Sequence, residues 1–205
     1  IRQTNKQFKN MYSKSLEYPV YDWSNNQTFW NDLEKYIPYI EIIYLTGGEP
    51  TLVQGNYDFL QKLIDVGVSK NIVITFNTNV TNFQKRFIDI IGHFAKVRLA
   101  LSIDGTDKFQ EYIRYPSKWK AIEKNVFVLL DHIETAKNRF EVSFSPAISI
   151  LNVVNFSEYI SWAYNIASNH QYDNLHWDMD PSRVHGPQFQ DIWHSTNSYR
   201  KICLQ

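Results

Sequence analysis

Five apolar runs in this chain end in groups able to bind a polar ligand, and the first ends in the most telling set. Gly47-Gly48-Glu49-Pro50 follows directly on the run from Ile40 to Leu45. Two glycines admit positive φ and put no Cβ between backbone and ligand. Pro50 fixes the exit and removes one backbone donor. Glu49 and the bare carbonyls around it make an acceptor cluster suited to a cationic group such as an ammonium. The same tetrapeptide also reads as an ordinary strand-to-helix turn with a solvated carboxylate, so its neighbours must decide.

The second run closes on Asn77-Thr78-Asn79, with Thr81 just beyond, and the third on Ser102-Ile103-Asp104-Gly105. The fourth carries Ser143, Ser145 and Ser149, and the fifth His176, Asp178 and Asp180. Side chains alternate along a strand, so Thr75, Asn77 and Asn79 share one side, as do Ala100, Ser102 and Asp104. Taken singly, Asn79 or Asp104 reads as an N-cap or an Asx-turn. Taken together, the five ends imply a wet, shaped lumen. Hydroxyls and amides in fixed places there suit a ribose and an amino-acid moiety.

The runs that carry these groups are Glu41–Thr46, Ile72–Asn77, Val97–Ile103, Phe140–Ile148 and Leu175–Asp180. They read as near-continuous hydrophobic strands of a parallel sheet covered on both faces. Helical periodicity fills the intervals. Asn56 caps a helix with the apolar face Phe59, Leu60, Leu63 and Ile64, and Gly67 ends it. Asn82 opens a second, with Phe83, Phe87, Ile90 and Ile91. Ser117 opens a long third, with Ile122, Val126, Leu129, Leu130 and Ile133. Asn155, with Glu158 three residues on, opens a fourth through Tyr159, Ile160, Ala163 and Ile166. Thr28 to Ile37 forms a short helix stopped before Pro38, and the stretch from Gly186 to Gln205 reads as helical. Strand and helix alternate about every 30 residues, the mark of right-handed βαβ units. An α/β fold follows, either a barrel or a doubly wound sheet, with ligands beyond the carboxyl ends of the strands.

Composition narrows the partners. The 205 residues fit one domain spanning 1–205, with 186–205 as the start of a C-terminal extension. Lys+Arg and Asp+Glu balance at 21 each, and no basic stripe appears, which argues against nucleic acid. No run is long enough to span a bilayer, so a membrane is not expected. A single cysteine, Cys203, excludes an internal disulfide framework and fits a reducing cytoplasm. The first residue is Ile1, and the chain reads as a segment of a longer protein.

Thr46-Gly47-Gly48-Glu49-Pro50, Asn77-Thr78-Asn79 and Ser102-Ile103-Asp104-Gly105 resemble the core of radical S-adenosylmethionine (radical SAM) enzymes. The stretch Tyr112-Ile113-Arg114-Tyr115-Pro116, Trp119 and Glu123-Lys124-Asn125 is similar to members that carry a C-terminal twitch-type domain. The similarity runs from Ile40 to Pro187. It implies a partial (β/α)6 TIM-like barrel whose first strand lies ahead of this segment. It also implies that Gly47, Gly48 and Glu49 hold the methionine amino group of S-adenosylmethionine. Asn77, Asn79, Ser102 and Asp104 then meet the ribose or carboxylate, and Ser145 and Ala147 lie where a later strand meets the cofactor. Arg114 is the candidate for the methionine carboxylate, with a surface pairing to Glu111 as the alternative. The family's [4Fe–4S] cluster needs a C-x-x-x-C-x-x-C loop of thiolates, and this sequence lacks it. The segment alone is therefore expected to be inactive. The full-length protein is expected to generate a 5′-deoxyadenosyl radical, with a peptide among the substrates considered. Its electron donor would be a flavodoxin or ferredoxin. No residue is assigned to catalysis and none to a metal.

Two rival readings stand beside this one. His176, Asp178 and Asp180, with His185 nearby, could form the metal site of a barrel hydrolase. Alternatively, the domain binds a nucleoside or partner protein without catalysis. The aromatics Tyr12, Tyr18, Tyr21, Trp23, Phe29, Trp30 and Tyr36 favour that only weakly, since such clusters more often pack a helix on a core.

Overall fold

A computed structural model describes residues 23–203. In chain order its strands are β1 (Ile42–Leu45), β2 (Val73–Thr78), β3 (Lys96–Leu101), β4 (Arg139–Phe144), β5 (Ala147–Ile148), β6 (Leu175–Met179) and β7 (Ser182–Arg183). The helices are α1 (Gln27–Glu34), α2 (Gln54–Asp65), α3 (Lys85–Ile91), α4 (Asp107–Ile113), α5 (Trp119–Thr135), α6 (Phe156–Asn169) and α7 (Asn197–Cys203). The main sheet has the order β1-β2-β3-β4-β6, and every pairing in it is parallel. Parallel neighbours need a crossover, and a helix supplies it between each pair. The fold is an α/β partial TIM-like barrel, one of the two architectures the alternation allows and the one the family resemblance implies.

Burial alternates along the strands. Ile74, Phe76, Val97, Leu99, Leu101, Phe140, Val142 and Phe144 are buried. The residues between them, Thr75, Asn77, Arg98, Ala100, Glu141 and Ser143, are not. The expected coverage of both faces is thus corrected: among the described residues the helices coat one face only. Leu60 and Leu63 of α2, Phe87 and Ile91 of α3, Val126 and Leu129 of α5 and Tyr159 of α6 form that coat. Burying one such side chain contributes about 1.5–3 kcal/mol, so this face drives folding. The other face is a polar floor. Register aligns Tyr44, Thr75, Arg98, Glu141 and His176 in one row across all five strands. Within it Arg98 Nε donates to Glu141 Oε2 at 2.8 Å, and Lys96 pairs with the other carboxylate oxygen. Lys96 first, then Arg98, holds the Glu141 carboxyl below its usual range.

Several boundaries differ from expectation. The fourth run is not one strand: Pro146 has no N–H to continue the ladder, so β5 leaves the main sheet and pairs with β7. Asn56 does not cap α2, which opens at Gln54. Instead its buried amide donates to Pro50 O at 3.0 Å. Gly67, at φ +83°, does follow the helix end. α3 opens at Lys85 rather than Asn82, and α5 begins after Lys118 rather than Ser117. Asn155 stands at the N-cap of α6, but its side chain donates to Glu158 instead of capping the backbone. The C-terminal stretch breaks into 3-10 turns at Gln188–Gln190 and Ile192–His194 before α7. Asp191 caps the second turn by accepting from Trp193 N at 3.0 Å. Among the N-terminal aromatics, Tyr12, Tyr18 and Tyr21 lie outside the described residues. Trp30 packs on Phe59 with ring centroids 5.9 Å apart, as a helix-packing residue does.

Candidate functional site

At the end of β1 the chain turns through Gly47, whose φ of +118° few L side chains adopt. A Cβ added at Gly47 or Gly48 would meet nothing within 4 Å, so both face open space. Neither glycine carbonyl accepts a hydrogen bond among the described residues. Pro50 then opens a 3-10 turn capped by Glu49. Glu49 Oε1 accepts from Thr51 Oγ1 and Thr78 Oγ1, both at 2.9 Å, and Oε2 accepts from Asn79 N at 2.8 Å. The carboxylate therefore staples the loop after β1 to the loop after β2.

The β2 end is fixed equally tightly. Thr78 is buried, and its hydroxyl also accepts from Val80 N at 3.0 Å. Asn79 forms a local Asx-turn, with its Oδ1 accepting from Thr81 N at 2.9 Å. Asn77 is exposed on the open face of the sheet. Across to β3, Ser102 N donates to Thr78 O at 2.8 Å.

Asp104 is the centre of the next loop and is buried. Its Oδ2 accepts from Arg114 Nε at 2.6 Å and its Oδ1 from Arg114 Nη2 at 3.1 Å, a bidentate pair. Oδ1 also accepts from Ala147 N at 2.7 Å. Arg114 thus pairs with Asp104, and the alternative partner Glu111 binds elsewhere, accepting from Trp119 N at 3.0 Å. That backbone bond, before the Lys118 charge, holds the Glu111 carboxyl below its usual range. Ser145 continues the lip, its N–H donating to Leu101 O at 2.9 Å.

Two hydrogen-bonded clusters therefore lie along the carboxyl edge: one joins Glu49, Thr78, Asn79 and Ser102, and the other joins Asp104, Arg114 and Ala147. All nine candidates lie on this edge or beside it: Gly47, Gly48, Glu49, Asn77, Asn79, Ser102, Asp104, Arg114 and Ser145. Spacing did not single out Thr78, Gln110 or Asn152 as site residues. Thr78 was visible only as the middle of Asn77-Thr78-Asn79, and the two amides carry no local pattern. His176, Asp178 and Asp180 lie on and just after β6, exposed, with Asp180 N donating to Phe144 O at 2.9 Å. Asp178 Oδ1 accepts from Met179 N, and among the described residues no three His, Cys, Asp or Glu side chains gather as a metal site. No helix among them is long and apolar enough to cross a membrane.

The family model described as the radical SAM superfamily matches residues 26–147, more than half of the chain, and the chain belongs to that superfamily. Solved structures of Streptococcus suis SuiB share the fold. SuiB bound to the precursor peptide SuiA superposes with a TM-score of 0.53 at 12% identity, covering 85% of this chain and 36% of that one. SuiB bound to S-adenosylmethionine gives 0.50 at 14% identity, covering 85% and 38%. The chain thus spans little more than a third of SuiB. No curated protein matches it.

The edge fits S-adenosylmethionine in its polar groups: glycine carbonyls beside open space and without a hydrogen-bond partner among the described residues, hydroxyls, amides and a guanidinium. It does not fit an iron–sulfur cluster. Such a cluster is held by several thiolates, and this sequence has one cysteine, Cys203, on α7.

Proposed function

We propose that this chain is the cofactor-binding core of a radical SAM enzyme. It holds S-adenosylmethionine at its carboxyl edge, and the protein it belongs to directs a 5′-deoxyadenosyl radical at a substrate hydrogen. The observation that carries the reading is the open glycine turn, stapled by Glu49 to the end of β2, with the Asp104–Arg114 pair after β3 on the same edge. In this reading the Gly47 and Gly48 carbonyls take the methionine ammonium, while Glu49 keeps their turn in place. Asn77, Asn79 and Ser102 offer donors and acceptors to the ribose, and Ser145 borders it. Arg114 has five N–H donors and spends two on Asp104, leaving others for the methionine carboxylate. These residues bind, orient and exclude water, which is the protein's share of such chemistry. They supply no ligands for the cluster, and no step through it is derived from them.

A peptide is the favoured substrate class, since the broad polar floor beneath the edge can take an extended chain. SuiB, of the same fold, is described with a precursor peptide. A flavodoxin or ferredoxin is the proposed electron source, and the cytoplasm the proposed compartment.

The test is anaerobic reconstitution of the full-length protein with iron and sulfide, then reduction by dithionite with S-adenosylmethionine. A brown protein that forms 5′-deoxyadenosine is expected. Binding of S-adenosylmethionine with no cleavage by the iron-loaded protein would leave a nucleoside-binding domain. Absence of binding overturns both, and stoichiometric zinc or manganese would revive the hydrolase.

A further inference from the structure

Asn152 precedes the 3-10 turn Val153–Asn155 and is 1% exposed. Its amide nitrogen donates to Asp104 O at 2.7 Å and to Ala147 O at 2.9 Å. Its Oδ1 accepts from Ser149 N at 2.8 Å. Both donors and the acceptor are spent on the backbone of segments that follow β3 and β4. On the other side of the same residue, Gln110 Oε1 accepts from Asp104 N at 2.9 Å. Gln110 is wholly buried, and its Nε2 has no partner. Two buried primary amides therefore hold the backbone N–H and the carbonyl of Asp104, while Arg114 and Ala147 N–H hold its carboxylate.

We propose that Asn152 is a positioning residue for the cofactor site. It sets where the Asp104 carboxylate stands, and through it the angle at which Arg114 presents its remaining donors to a ligand carboxylate. The inference rests on the S-adenosylmethionine reading above. Only a primary amide fits the role, because two carbonyls need donors and one N–H needs an acceptor. An ionised aspartate would face two carbonyl oxygens with no proton. When protonated it would restore one of the two donated bonds.

The experiment uses the full-length protein and reads the affinity for S-adenosylmethionine by calorimetry, the thermal midpoint, and KM against kcat for 5′-deoxyadenosine formation. Asn152→Asp is expected to weaken binding about tenfold at pH 8, raising KM with kcat within about twofold. Affinity is expected to recover in part as pH falls toward 5.5, since the protonated aspartate regains one donated bond. In an Arg114→Ala background, Asn152→Asp is expected to cost no further affinity, since the effect runs through Arg114. Should Asn152→Asp fail to fold, Gln110→Met tests the other half of the grip, with a loss of several-fold that also vanishes without Arg114. A lower thermal midpoint with unchanged affinity, or equal losses with and without Arg114, overturns the proposal. Wild-type protein that binds no S-adenosylmethionine overturns instead the reading beneath it.

Discussion

Arg114 lays two edges of its guanidinium on the Asp104 carboxylate, with Nε at 2.6 Å from Oδ2 and Nη2 at 3.1 Å from Oδ1. The aspartate side chain is 5% exposed and the arginine 31%, so the pair is buried on the carboxylate side and open to solvent only at the guanidinium. Breaking a fully buried pair costs about 3–5 kcal/mol, whereas exposed pairs are worth about 1 or less. Asp104→Ala should therefore cost about 2 kcal/mol, read as a lower urea midpoint at constant slope. Arg114→Lys keeps the charge and loses the fork. It should destabilise less, yet weaken S-adenosylmethionine binding about tenfold in equilibrium dialysis. Equal affinity in wild type and Arg114→Lys would remove Arg114 from the ligand's carboxylate.

Gly48 separates ligand space from protein space. A Cβ there meets no heavy atom within 4 Å, so Gly48→Ala should leave stability within about 0.5 kcal/mol, as open surface sites do. If the methionine end occupies that space, the same methyl group should lower affinity at least tenfold. Gly47→Ala should behave differently. Its φ of +118° strains any side chain, so a stability loss of about 1–2 kcal/mol should accompany any loss of binding. A Gly48→Ala protein that binds normally would place the ligand elsewhere.

The backbone plan was legible because strand and helix differ in period, and residues 73–78 and 96–101 lie almost where apolar runs place them. Sidedness was harder to read. Val73 and Lys96 start their strands on the open face, and β-branched residues on both sides of β2 imitate a doubly buried strand. Pro146 was visible, but its consequence was not, since the partner that draws β5 away is Ser182 and Arg183, far along the chain. The glycine turn and Asp104 declared themselves by type and position. Asn152 did not, because its role is a distance between two carbonyls that 43 residues separate in sequence. The same limit hid the partner of Arg114, which sequence offered as Glu111 and the fold supplies as Asp104.

His132 gives the fold an acid-side weakness. Burial first, then Lys85, lowers its pKa, while Asp89 opposes them. Its Nε2 is buried without a partner. A lowered pKa means that the unfolded chain takes up a proton the folded protein resists. The stability contribution of the neutral ring is thus complete above about pH 6.5 and is lost as pH falls through the folded value. His132→Gln cannot titrate, so its urea midpoint should vary less between pH 7 and 5 than that of wild type. Parallel profiles for the two proteins would assign the acid sensitivity to carboxylates.

Val80 holds a φ of 60°, an uncommon choice for a β-branched side chain, and it is completely buried just past the Asn79 turn. Such strain, about 1–3 kcal/mol, persists only where the surroundings over-determine it. Two contacts do so here: Val80 N donates to Thr78 Oγ1 at 3.0 Å, and Asn125 Nδ2 of α5 donates to Val80 O at 2.7 Å. Thr78 is also bonded to Glu49, so the strained turn and the glycine turn share one anchor. Asn125→Ala should cost about 1–2 kcal/mol by leaving a buried carbonyl unpaired. Val80→Gly relieves the φ strain but forfeits about 1.5–3 kcal/mol of side-chain burial, so it should destabilise as well. The double variant is the informative one. With no strain left to contain, removing Asn125 should cost less in Val80→Gly than in wild type, a less-than-additive pair by chemical denaturation. Strict additivity would mean that Asn125 pins nothing strained, and that the loop after β2 keeps its shape unaided.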